Sequence, residues 1–152
     1  MLPLTHAIIG ALTSMALFCI FPPIGWFGAL VIFLASVFID VDHYLYYIIK
    51  KKDLSLKNAY GWFVNRSNQL RKMSASKRRL YKNAILIFHG VEFLAVLAAL
   101  SLISPIFKFV IIGCLIHYVL DFIDYMLAKE PLYSKVSQIY TYIKNKKKRE
   151  LK

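Results

Sequence analysis

Apolar residues run through this chain in four long stretches, near Leu4–Phe21, Ile24–Ile49, Ala84–Ile103 and Ile106–Ala128. Runs of this kind predict helices that cross a bilayer, because about 20 apolar residues match its hydrocarbon thickness. Pro22-Pro23 separates the first two runs and Ser104-Pro105 the last two. Proline has no N–H with which to continue a helix, so both sites read as tight turns between antiparallel neighbours. The pattern predicts an all-α integral membrane protein with four transmembrane helices arranged as two antiparallel hairpins, residues 1–49 and 84–128. A basic amphipathic segment, 50–83, joins the hairpins, and a basic tail, 129–152, follows the second.

Charge adds a direction to this picture. Eleven of the twenty Lys and Arg residues fall between Lys50 and Lys82, and eight between Lys129 and Lys152, while the two hairpin turns carry none and one (Lys108). Basic loops stay cytoplasmic, so the expected protein is a multi-pass component of the cell membrane with both termini and the middle segment in the cytoplasm. That topology accounts for the net charge of +12, and nucleic-acid binding is not needed to explain it. The middle segment interleaves its cations with Leu54, Leu56, Tyr60, Trp62, Phe63, Leu70 and Met73. It reads first as an interfacial stretch on anionic lipid headgroups, and in a sharper reading as a lid that gathers a phosphate-bearing substrate. Tyr44, Tyr46 and Tyr47 read as part of an interfacial aromatic belt. The first run has neither the basic n-region nor the small-x-small site of a signal peptide. Cys19 and Cys114 are too few for a disulfide framework and read as buried small hydrophobes.

The exceptions to the apolar pattern are chemically of one kind. His6, Asp40, Asp42, His43, His89, Glu92, His117, Asp121 and Asp124 interrupt or border the four runs. Ionisable groups at membrane depth cost roughly 2.5–3.5 kcal/mol each on insertion scales, so they mark function. On the expected topology all nine fall near the cytoplasmic ends of their helices. His117, Asp121 and Asp124 share one stripe at i, i+4 and i+7; Asp40 and His43, and His89 and Glu92, pair at i, i+3. Asp42 points roughly 160° away from Asp40 on a regular helix and joins the group only if the helix unwinds locally. Carboxylate and imidazole from facing helices is how bundles build metal sites. Without thiolate the set suits Zn, Mn or Fe, and its size fits two ions, or one ion with a large surrounding shell.

Thr5-His6, Asp40-Val41-Asp42-His43, His89 and the late His117-Tyr118-Val119-Leu120-Asp121 occur in an order that resembles the membrane-bound metal-dependent hydrolase family. Ile39 stands where that family has proline. Its His-rich third motif is reduced here to His89-Gly90-Val91-Glu92, with Leu94 at the place of a second histidine. The resemblance implies metal held by His6, Asp40, His43, His89, His117 and Asp121. Glu92 or Asp42 would act as general base, in a divergent branch that cleaves an ester or phosphoester of a lipid or lipid-linked substrate. Two other classes stay open: a metal-ion or proton transporter, and a structural protein whose polar residues lock helix packing. A transport site is expected near the midplane between broken helices, and no break is evident in the pattern. A second copy of the chain could complete the site.

Overall fold

The computed structural model describes residues 3–128 and 133–151, and within them the chain is helical and forms no strand. Helix α1 (Pro3–Ile20) meets α2 (Gly25–Phe38) across one 3-10 turn, Pro22–Ile24. Gly25 takes φ 62° there, a left-handed conformation that favours glycine. Next come α3 (Val41–Lys51), α4 (Leu56–Arg71), α5 (Ala75–Arg78), α6 (Val91–Leu100), α7 (Ile106–Leu127), α8 (Tyr133–Val136) and α9 (Gln138–Asn145). Helix α2 lies between α1 and α7, α6 packs on α7, and α4 packs on α3.

Small residues let the central helices approach closely. A Cβ added at Gly113 of α7 would meet the Ile32 carbonyl oxygen, Ala35 Cβ at 2.7 Å and Ser36 N at 3.0 Å. One added at Gly10 of α1 would meet the Ser36 hydroxyl. Ile32 and Ser36 are buried where these surfaces meet. Such contacts are how apolar helices associate when lipid removes the hydrophobic drive between them.

Two helical stretches, Pro22–Lys51 and Ile106–Leu127, are long and apolar enough to cross a membrane. Only 22% of the most apolar window of each is buried, so most of that surface faces outward, unlike the core helix of a soluble protein. Cys114 is buried as expected, whereas Cys19 is exposed.

The structure corrects two of the four runs. The second is broken by a turn at Ile39–Asp40 between α2 and α3. Aspartate is a poor residue for a helix interior because its short carboxylate prefers local or tertiary partners. The Asp40 side chain makes no capping bond and reaches histidines instead, as described below. The third run is not one helix. Residues 82–90 are irregular and only the 10 residues of α6 are helical, about 15 Å at 1.5 Å per residue, half a hydrocarbon core.

Side chains from distant elements occupy the backbone groups that a helix over 82–90 would have used. Leu86 N–H donates to Gln138 Oε1 at 3.0 Å, Phe88 N–H to Asp42 Oδ2 at 2.9 Å, and Asn83 N–H to Asn145 Oδ1 at 3.0 Å. The Tyr118 hydroxyl donates to the Phe88 carbonyl, and Gln138 Nε2 to that of His89. The described part of the basic tail is therefore packed structure, with Gln138, Thr141 and Asn145 buried. Its end is clamped by Glu150, 2.6 Å from Lys50 Nζ and 3.0 Å from Lys82 Nζ. The bonds from these ammoniums hold the Glu150 carboxyl down to about 2.

Gly113→Ala tests the α2–α7 approach. Backbone atoms of α2 cannot yield as a flexible side chain would, so the expected loss is about 1–3 kcal/mol. It is read as a lowered thermal unfolding midpoint in detergent.

Candidate metal centre

Helices α1, α3 and α7, the turn at Ile39–Asp40 and the irregular segment 82–90 bring His6, His43, His117, Asp121, Asp40 and His89 together. Because the helix turns at Ile39–Asp40, Asp40 and Asp42 both reach His43, with Nδ1 to Oδ1 distances of 3.1 and 3.2 Å. The local unwinding that Asp42 requires is thus present. Asp42 is 2% exposed, and its Oδ2 also accepts from Phe88 N–H and lies 2.9 Å from His89 Nδ1. Among the described residues every ion-pair partner of Asp40 and Asp42 is a histidine.

Hydrogen bonding fixes which nitrogens face the centre. His117 Nδ1 lies 2.9 Å from the Ser36 carbonyl, which can only accept, so Nδ1 carries a proton and the neutral ring presents a lone pair at Nε2. His89 Nδ1 faces the Asp42 carboxylate at 2.9 Å, so its neutral ring likewise presents Nε2. These two Nε2 atoms lie 3.1 Å apart. Two ring nitrogens at that distance share a cation, either a metal ion bound to both or a proton that one ring donates to the other.

Carboxylates surround the same point. Asp40 Oδ1 is 3.4 Å from His89 Nε2 and 3.5 Å from His117 Nε2, and Asp121 Oδ2 is 3.6 Å from each. Ligands bonded at about 2.0–2.2 Å in a tetrahedron are separated by about 3.4 Å along its edges, so each carboxylate is spaced from the two imidazoles as ligands of one ion are. The His6 ring stacks on His117 at 4.0 Å, its Nε2 lies 3.4 Å from Asp121 Oδ1, and its buried Nδ1 has no hydrogen-bond partner among the described residues.

Three overlapping donor sets could each hold a metal ion: His6/Asp40/His117, Asp40/His43/His89 and His89/His117/Asp121. Together they contain all six residues expected as ligands. Asp40, His89 and His117 each belong to two sets, an arrangement open to two ions sharing ligands.

The two expected bases both have hydrogen-bond partners of their own. Asp42 accepts from the backbone N–H of residue 88 and faces His89 Nδ1, which orients that ring. Glu92 belongs to none of the three sets. It accepts from Ser137 Oγ at 2.5 Å and from the N–H groups of Gln138 and Ile139 at 3.1 and 3.2 Å, capping the start of α9. Asp124 binds Arg71 of α4 at 2.7 Å. Of the tyrosines, Tyr44 donates to the Leu54 carbonyl and Tyr47 to Asp53, tying down the end of α3.

A cavity of about 760 Å³ opens against the centre, with Asp40, His43 and Asp121 on its wall. Helix α4 supplies another wall through Leu56, Phe63, Val64, Arg66 and Leu70. No family model matches the chain, and no curated protein or solved structure matches it either.

Three contributors carried little sequence signal: the Ser36 carbonyl, Tyr118 and Gln138. Ser36 is one polar residue in an apolar run, and its role belongs to a backbone atom. Gln138 lies in the basic tail, far from every motif.

Two substitutions separate these roles. Asp42→Asn should keep the fold and weaken metal binding about 10–100-fold, as loss of a ligand-orienting carboxylate does, read by metal titration. Glu92→Gln should leave metal content unchanged and loosen α9 by about 1 kcal/mol, read as faster amide exchange over residues 137–141.

Proposed function

We propose that the chain is a multi-pass membrane protein carrying a divalent-metal centre, Zn, Mn or Fe, that hydrolyses an ester or phosphoester at the cytoplasmic leaflet. The observation that carries this reading is the close His89/His117 Nε2 pair beside two carboxylates, Asp40 and Asp121, that line a cavity of organic-ligand size. A network that only locked helix packing would have no need of such a cavity. The order of the His and Asp motifs, which resembles the membrane-bound metal-dependent hydrolase family, supports the same reaction class. The cytoplasmic placement rests on the basic charge of residues 50–82 and of the tail.

His6, Asp40, His89, His117 and Asp121 would hold one or two ions. A bound ion polarises the scissile group and lowers the pKa of water toward neutrality. The chain's own residues do the rest. Ser36 and Asp42 fix the two central imidazoles, and α4 lines one wall of the cavity. His43 is held between Asp40 and Asp42 and lines the cavity against Phe63 at 5.1 Å between ring centroids. It takes the general-base role that the sequence assigns to Asp42 or Glu92. The expected result for His43→Gln is retained metal with hydrolysis lowered about 10²–10⁴-fold. Full activity would remove His43 from the reaction, and lost metal would make it a ligand.

One observation favours a second reading. A helix broken at an acidic residue is a feature of transport sites, and α2 and α3 meet in this way at Asp40. Metal flux into proteoliposomes that disappears in His117→Ala, without ester cleavage, would establish a transporter instead.

A further inference from the structure

Among the described residues, Arg66 is the cation of the cavity wall that has no acidic counterpart. The residue is 7% exposed and lines the cavity. Among the described residues its guanidinium donates one hydrogen bond, from Nη2 to the Lys82 carbonyl at 2.5 Å, and lies over the Trp62 ring at 5.4 Å. Neither partner carries negative charge. Arg71, the other arginine of this wall, is neutralised by Asp124 at 2.7 Å.

Burying a guanidinium without an anion is costly, and a protein retains such a group where a ligand supplies the charge. The guanidinium's planar fork matches the paired oxygens of a phosphate. The rest of the α4 wall is largely apolar, with Leu56, Phe63, Val64 and Leu70. The same cavity therefore offers a cation for an anionic head, an apolar face for a tail, and a His/Asp centre beside both.

We propose that Arg66 is the anion-recognising residue of this cavity and that the substrate is an amphiphile bearing a phosphate group. The inference rests on the reading of the cavity as the substrate site and names the substrate's class. It also gives the middle segment its sharper role, because α4 carries the recognition group over the centre.

Binding without turnover tests this apart from the hydrolase reading. Full-length protein in detergent, stripped of metal by chelation, is titrated calorimetrically with dihexanoyl phosphatidic acid, dihexanoylglycerol and inorganic phosphate. The phosphatidic acid should bind roughly tenfold tighter than either of the others, the value of one charge-assisted contact. Arg66→Gln should reduce it to the level of dihexanoylglycerol while leaving the affinity for dihexanoylglycerol unchanged, and Arg66→Lys should restore part of the preference. Equal binding of the two lipids by the wild-type protein would overturn the proposal without any variant having to fold. So would a phosphate preference that survives Arg66→Gln. Inorganic phosphate binding as tightly as the lipid would overturn the amphiphile assignment. None of these outcomes bears on whether the metal-loaded protein cleaves esters.

Discussion

Both central imidazoles are anchored through Nδ1 to groups that accept hydrogen bonds, His117 to the Ser36 carbonyl and His89 to the ionised Asp42 carboxylate. Each anchor turns the other ring nitrogen toward the centre, and the two Nε2 atoms meet at 3.1 Å. Much else in the molecule serves that meeting. Gly113 lets α7 approach α2 closely enough for His117 to reach Ser36, one helical turn along. Asp42 also receives the N–H of Phe88, so the loop that carries His89 is fixed by the carboxylate that orients its ring. The centre and the central helix packing are one construction.

The irregular segment 82–90 follows from the same constraint. Unpaired backbone polar groups are costly in apolar surroundings, and irregular backbone is tolerated there when protein groups satisfy it. Asp42, Tyr118, Gln138 and Asn145 meet that need from three other helices. His89 gains a position at the tip of a turn, where its ring reaches between α3 and α7. A continuous helix through 84–103 would have placed His89 and Glu92 on one face; the turn separates them, and Glu92 becomes the cap of α9.

Much of this was legible in the sequence, for definite reasons. Pro22-Pro23 and Ser104-Pro105 are local signals, and both turns lie where they stand. The six donors were legible because charge is conspicuous in apolar runs and helical spacing puts His117 and Asp121 on one stripe. The break at Asp40 was half legible: the angle of Asp42 demands it, but hydropathy continues through it. The loop 82–90 was hidden because its residues are as apolar as a helix, and its hydrogen-bond partners lie up to 62 residues away. Arg66 was hidden among many cations, since only the fold reveals which arginine lacks an acid.

Neutral His89 and His117 beside Asp40 and Asp121 form the donor set of a metal site, and a bound metal ion, rather than a proton shared by the two rings, is what separates a metal centre from a packing network. Elemental mass spectrometry of the purified protein, beside a His117→Ala/Asp121→Ala variant, tests it most directly. At least one Zn, Mn or Fe per chain is expected, lost in a variant that keeps its helical circular dichroism. A metal-free protein that stays folded and takes up no metal on reconstitution would contradict it.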